Sequence, residues 1–194
     1  MFIAVFLIIF AYLMGSLSSA IIVSKLLGLP DPRTQGSRNP GATNILRLGG
    51  KFPAIITLIS DILKGLIPVL IANLANIHGF WLGVIALAAV VGHVFPVFFN
   101  FKGGKGVATA LGAFIALNIW IGIIAIAVWL IVTAIWRYVS LASLIATWIA
   151  TFYTVVTMEN GLALPIIALA GLLTWRHWSN IERLRVGKEN KLKL

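Results

Sequence analysis

Apolar residues run along this chain in long blocks, and the polar ones collect in short interruptions between them. Blocks long enough to cross a bilayer, about 20 mostly apolar residues, lie at 2–24, 53–73, 80–101, 140–158 and 161–178. The stretch 107–136 has 30 residues and no charge, too many for one ordinary span, and Asn118 near its middle predicts a turn. Divided there, it gives a short helix over 105–118 and a second over 120–136. The expectation is an all-α integral membrane protein with seven transmembrane helices, forming one transmembrane domain over 1–194 with a basic tail at 179–194. The longest interruption, 25–52, has about 28 residues, too few for a core of its own.

Composition agrees with the pattern. Of 194 residues 60% are hydrophobic and 10% charged, with a mean hydropathy of +1.04, more apolar surface than a soluble domain of this length can hide. The opening MFIAVFLIIFAYLMG has no basic segment, and its apolar character continues through GSLSSA into AIIV. It reads as a retained first span and not a cleaved signal. Cysteine is absent, which removes disulfides and thiolate metal sites from consideration.

The net charge of +10 would suggest nucleic acid in a soluble protein; here it orients the chain, and no nucleic-acid partner is expected. Lys25, Arg33, Arg38, Arg47 and Lys51 lie in the first loop, Lys102 and Lys105 after the third block, and Arg137 after the fifth helix. Arg176, Arg183, Arg185, Lys188, Lys191 and Lys193 lie at the end. With seven helices these 14 of the 15 basic residues share one face, and the other face has only Glu159. The positive-inside rule then places the N-terminus outside and the C-terminus in the cytoplasm.

Four polar clusters fall on that basic face. The first, GSRNPGATNILRLGGK at 36–51, offers Ser37, Arg38, Asn39, Thr43, Asn44 and Arg47 with Gly36 and Gly41 between them. Successive backbone N–H groups in such a turn make an anion nest, and Arg47 adds a forked donor suited to phosphate. Ser, Asn and Pro-Gly also end and start helices; two donors coinciding with a nest favour the anion. The second, FKGGKGVAT at 101–109, places Lys102, Gly103, Gly104, Lys105 and Gly106 before a helix. It is not a Walker A loop, because Gly106 stands where a Mg²⁺-binding Ser or Thr belongs. A glycine backbone leading into a positive helix N-terminus still suits an anion, and lysines that merely snorkel need no glycines. The third, WRYVSLAS at 136–143, puts Ser140 and Ser143 on one helix face. The fourth, RHWSNIERLRVGKEN at 176–190, aligns His177 and Asn180, while its last lysines read as a tail on anionic lipid. His177 and Glu182 form an H-x-x-x-x-E that approaches a soluble acyltransferase signature, but residues five apart on a helix point in different directions.

Two groups lie inside the spans. Asp61 and Lys64, three apart, are expected to neutralise each other. His93 reads as a bond between helices. Gly15 and Ser19 have the small-residue spacing of close helix packing.

The segments GSRNPGATNILR, GHVFPVFFNFKGGKGVAT and HWSNIERL resemble the three motif regions of the bacterial acyl-phosphate:glycerol-3-phosphate acyltransferases, the PlsY family, and DILKG and RYVSLAS are similar to that family as well. The matches keep their order over about residues 12 to 189. The resemblance implies a multi-pass enzyme of the bacterial inner membrane with its site facing the cytoplasm. It would move a fatty acyl group from acyl phosphate to the sn-1 hydroxyl of glycerol 3-phosphate, giving lysophosphatidate and phosphate at the start of phospholipid synthesis. No metal and no cofactor are implied. The partners implied are the two substrates, membrane lipid, and the soluble enzyme that makes acyl phosphate. Ser37 and Arg47 match the first motif's functional serine and arginine. Gly103, Gly104, Lys105 and Gly106 match the glycine-rich second motif, tied to glycerol 3-phosphate. His177, Asn180 and Glu189 match the third, and Ser140 and Ser143 the serines after the fifth helix. The expected catalytic set is therefore Ser37, Arg47, Lys105, His177 and Asn180. The expected substrate-binding set is Asn39, Gly41, Thr43, Asn44, Lys102, Gly103, Gly104, Gly106, Ser140, Ser143 and Glu189. Arg38 departs from the family pattern, which has glycine after the serine.

An organophosphate transporter is the alternative, sharing the spans and the basic mouth. It would want polar groups near the midplane on several helices and a repeat between halves; only Asp61 and Lys64 qualify, and no repeat is visible. Transfer from a CDP-activated lipid would want clustered carboxylates for metal, and five scattered acids do not supply them.

Overall fold

The computed structural model describes residues 1–158 and 160–192; Glu159 and Lys193, both used above to orient the chain, lie outside the described residues. Among these residues the fold is all-helical. In chain order the helices are α1 (Phe2–Gly15), α2 (Ser19–Leu26), α3 (Ala42–Gly49), α4 (Lys51–Leu74), α5 (Gly79–Val94), α6 (Val107–Leu117), α7 (Ile119–Trp136), α8 (Val139–Thr157), α9 (Ala163–Arg176) and α10 (Trp178–Arg185). Four of the described helices are long and apolar enough to cross a membrane, α5 with its 3-10 extension to Phe99 included. The pair α1–α2 makes a fifth as one bent span, and α6 and α9 are shorter apolar helices.

The first block is not one straight helix. It breaks at Ser16–Ser18 and bends by 41°. Ser16 Oγ donates to the Tyr12 carbonyl at 2.8 Å, the local bonding by which serine disrupts a helix. Gly15 lies against α5, where a Cβ would overlap the Ala89 carbonyl; its small size serves packing within the chain. The helix also stops at Asn118, whose side chain accepts from the Trp120 backbone N–H at 2.9 Å and so caps α7. The short helix begins at Val107 and not at 105, because Gly106 adopts φ +85° and turns the chain into it.

α4 packs along α6, α1 along α5, and α7 along α8. α4 and α6 approach closely: a Cβ at Gly65 would overlap the Thr109 carbonyl and one at Gly112 the Ile62 carbonyl. The core runs through Val69, Leu82, Ile85, Val90, Ala113, Phe114, Ile166 and Leu169, all fully or nearly fully buried. Large apolar side chains on α1, α4, α7 and α8 face outward, as a lipid-facing surface requires.

Inside the bundle Asp61 and Lys64 pair at 2.8 Å. Lys64 also donates to the Leu17 carbonyl at 2.9 Å, at the α1–α2 break. His93 Nδ1, on α5, stands 3.6 Å from the same Asp61 oxygen on α4, longer than a hydrogen bond, so the bond between helices expected of it is not made among the described residues.

Candidate active site

The polar clusters converge at one end of the bundle. The loop 27–41, the glycine loop 102–106, the α7–α8 junction and the segment after α9 meet there. Three contacts tie the last three of these together. Arg176 reaches the glycine loop, Lys105 reaches α10, and Leu192 N–H donates to the Arg137 carbonyl at 2.7 Å.

Glu189 organises this end. Its Oε1 accepts from Ser140 Oγ at 2.7 Å and from Asn180 Nδ2 at 2.6 Å, and its Oε2 accepts from Arg183 Nε at 2.7 Å. Burial alone would raise its pKa. The three hydrogen bonds and the Arg183 charge outweigh burial and hold the carboxyl below the usual range. With its amide nitrogen committed to Glu189, Asn180 presents Oδ1, which accepts from the Lys105 ammonium. The chain Arg183–Glu189–Asn180–Lys105 thus fixes one cation through a carboxylate and an amide.

Lys105 is half-buried at the start of α6, whose N-terminus has no side-chain cap. Burial, opposed by Glu189 and reinforced by Arg183, Arg176 and Arg47, pushes its pKa down to about 8. An ammonium crowded by arginines beside an uncapped helix N-terminus attracts an anion.

The glycines hold this lysine in place. A Cβ at Gly103 would overlap the His93 carbonyl, and one at Gly104 would overlap His93 Nε2 and stand 2.8 Å from the Pro40 carbonyl. Gly104 N–H donates to the His93 carbonyl at 3.2 Å. Arg176 donates to the carbonyls of Gly103 and Gly104 at 3.1 and 3.2 Å. The faces where these glycines lack side chains are pressed against the chain itself, and the Gly104 N–H is bonded within it. Arg176, counted above only among the basic residues that orient the chain, is the side chain that clamps the loop.

The first motif also differs from a free nest. Ser37 N–H donates to Asn44 Oδ1 at 2.9 Å, Arg38 N–H to the Gln35 carbonyl at 3.1 Å and Gly41 N–H to the Asn39 carbonyl at 3.0 Å. Asn44 is 1% exposed, and its Nδ2 donates to the carbonyls of Pro32 and Gln35 at 2.9 and 3.0 Å. Expected to bind substrate, Asn44 instead holds the shape of its loop. Arg38 sits at φ +55°, a left-handed conformation that favours glycine, which accounts for the glycine of the family pattern. Ser37 and Thr43 are exposed and Asn39 and Gly41 half-buried around the start of α3, which has no side-chain cap, and Arg47 is exposed in its last turn. Lys102 lies apart from Lys105, in an outer cleft with Arg33, Arg38 and Arg176.

His177, 2% exposed, joins α9 to α10. Its Nδ1 lies 2.7 Å from the Leu173 carbonyl. That bond puts the proton of the neutral ring on Nδ1 and leaves Nε2 as an acceptor. Glu182 turns away to accept from Trp178 Nε1 at 2.9 Å, so the H-x-x-x-x-E spacing makes no pair. Ser143 is 4% exposed and bonds within the bundle, donating to the Val139 carbonyl and accepting from Trp129 Nε1.

Residues 5–187 match the model of the glycerol-3-phosphate acyltransferase family. The chain belongs to that family. It is 51% identical over 187 residues to the glycerol-3-phosphate acyltransferase of Coxiella burnetii, covering 96% of this chain and 97% of that one. It is 51% identical over 193 residues to that of Thioalkalivibrio sulfidiphilus, covering 99% and 95%. Among solved structures, it matches the integral membrane glycerol 3-phosphate acyltransferase PlsY in its glycerol 3-phosphate form. That match has a TM-score of 0.94 and 42% identity over 98% of this chain and 96% of that one. The lysophosphatidic acid form of the same acyltransferase gives 0.91 and 41%, over 98% and 95%. The family match spans all four polar clusters up to residue 187, and the relatives' coverage carries it across the Glu189 segment at nearly full length.

Proposed function

We propose that this protein transfers a fatty acyl group from acyl phosphate to the sn-1 hydroxyl of glycerol 3-phosphate, releasing lysophosphatidate and phosphate. The bent pair α1–α2 and the helices α4 to α9 cross the bacterial inner membrane seven times, N-terminus outside. The convergent end faces the cytoplasm, where both phosphates and the soluble enzyme that makes acyl phosphate are within reach. The observation that carries the reading is the Lys105 ammonium, seated by Asn180 and Glu189 at the uncapped start of α6.

Both substrates are anions, so the protein's first task is to offset their repulsion while the hydroxyl is oriented. Lys105 and the α6 N-terminus hold one phosphate. Arg47, Ser37 and the uncapped start of α3, with Gly41 and Thr43, hold the other. The acyl chain lies among the helices. The hydroxyl oxygen attacks the carbonyl carbon, the ester C–O bond forms, and the bond from that carbon to the phosphate oxygen breaks. Phosphate leaves with the electron pair, and one of its oxygens takes the hydroxyl proton. Lys105 stabilises the charge that develops. His177, through Nε2, orients the hydroxyl.

The test is phosphate release by protein reconstituted in lipid, given palmitoyl phosphate and glycerol 3-phosphate without CoA. Release with equal lysophosphatidate, abolished by Lys105→Ala, is expected. Absence of release from folded protein would overturn the reading, and uptake of labelled glycerol 3-phosphate into liposomes would then test transport. If His177→Ala loses nearly all turnover with normal glycerol 3-phosphate binding, His177 and not the donor phosphate takes the proton.

A further inference from the structure

Outside the Lys105–Asn180–Glu189 cluster lies a cleft of about 270 Å³. Four cationic side chains line it: Arg33, Arg38, Lys102 and Arg176. No acidic side chain does, although Asp31 holds Arg33 from outside at 2.7 Å. Pro40 and Phe101 form its apolar wall, and Phe101 is 58% exposed, just beyond the end of a bilayer-length helix. It shares no lining side chain with the catalytic set, and it borders the glycine loop through Lys102 and Gly103 of the expected substrate-binding set.

We propose that this cleft is a second anion site, one that takes a phosphate group at the membrane surface. Cations gathered in one concavity repel one another, and an anion between them removes that cost. The Arg38 fork, with the N–H groups that Arg33 and Arg176 do not spend on Asp31 and on the Gly103 and Gly104 carbonyls, offers donors from three directions, which suits the tetrahedral oxygens of phosphate more than a planar carboxylate, which one fork satisfies. The apolar wall beside them accepts a group whose phosphate carries a glycerol or acyl tail. Arg176 links the two sites, because its guanidinium also clamps Gly103 and Gly104 next to Lys105. An anion held here draws on the side chain that sets the glycine loop. Arg38, replacing the family's glycine at φ +55°, gives this chain a donor that the family pattern lacks.

The source of the phosphate is either a phospholipid headgroup or free phosphate, and calorimetric titration of the purified protein in neutral detergent separates them. Dihexanoylphosphatidylglycerol and orthophosphate are the probes, with glycerol 3-phosphate saturating. Arg38→Gly, which suits the left-handed backbone and should fold, is expected to weaken binding about tenfold or more. Arg38→Lys retains most of it, and Lys105→Ala leaves it unchanged. Saturable binding of the lipid with that pattern supports the headgroup; binding of orthophosphate alone with that pattern supports free phosphate. If neither probe binds saturably, or binding ignores Arg38→Gly, the proposal is overturned. Binding lost in Lys105→Ala also overturns it, since the probe would then sit in the catalytic site. Because the titration reads binding and not turnover, failure of the acyltransferase reading shows separately, as absent phosphate release.

Discussion

Glu189→Gln tests the coupling between the carboxylate hub and the cation it seats. The substitution keeps the shape of the side chain and removes its charge. The amide oxygen can still accept from Ser140 and Asn180, which both bond Oε1, but the amide nitrogen would face Arg183 Nε where Oε2 now accepts. More telling is the effect on Lys105. Of the influences on its ammonium, the Glu189 charge favours protonation, whereas burial, Arg183, Arg176 and Arg47 oppose it. One amide separates the two charges, roughly 6 Å, and at an effective dielectric of about 40 their attraction is about 1.4 kcal/mol, or one pH unit. Lys105, which loses its proton near pH 8 in the intact protein, would then lose it near pH 7. The sign is fixed: a lysine with a depressed pKa is charged below it and neutral above it, so phosphate binding weakens as pH rises through that value. The assay is KM for glycerol 3-phosphate in the palmitoyl phosphate reaction between about pH 6 and 9. In the intact protein KM should climb about tenfold per pH unit above 8, and in Glu189→Gln the same climb should begin about one unit lower. An unmoved or upward-shifted limb would refute the argument, whatever happened to kcat.

Three further outcomes follow from the geometry. Asp61→Asn leaves the Lys64 ammonium buried without its counter-charge and should cost about 3–5 kcal/mol, while Asp61→Asn with Lys64→Met should recover much of it; thermal denaturation in detergent compares the two. Gly104→Ala drives a methyl into His93 Nε2 and the Pro40 carbonyl and should displace Lys105, lowering kcat/KM at least about tenfold with the bundle still folded by circular dichroism. Asn44→Ala removes three hydrogen bonds from the 32–44 loop and should cost about 1–3 kcal/mol, read as faster proteolytic cleavage of that loop.

Features with a strong one-dimensional signal were legible before the fold was known. Asn118 interrupts 30 uncharged residues, and a helix break there is the simplest way to keep Arg137 on the basic side. Asp61 and Lys64 are three apart in an apolar block, so their pairing follows from helical period. The polar clusters could be grouped because the expected topology puts 14 of the 15 basic residues on one face. What escaped is what depends on contact between distant segments. Nothing local marks Arg176 as the clamp on Gly103 and Gly104, because a basic residue ending an apolar helix has a sufficient explanation in topology. Asn44 looked like a ligand because an asparagine among glycines satisfies either a substrate or a loop, and only burial decides. The α1–α2 break was hidden because serines and a glycine remain apolar enough to sustain a hydropathy window.

That break is joined to the buried charges. A helix interrupted within the bilayer releases a carbonyl that must find a donor, and the Leu17 carbonyl finds the Lys64 ammonium. The ammonium in turn is tolerable there because it has Asp61 on one side and that carbonyl on the other. Kink and charge are thus each other's justification, and neither has a cheap path to loss by single steps. Straightening residues 15–19 first takes away one of the two partners of the Lys64 ammonium; losing the lysine first strands an anion and a carbonyl. In evolutionary terms the three positions are expected to change together. A lineage that drops Lys64 should have replaced Asp61 as well and carry an unbroken first helix.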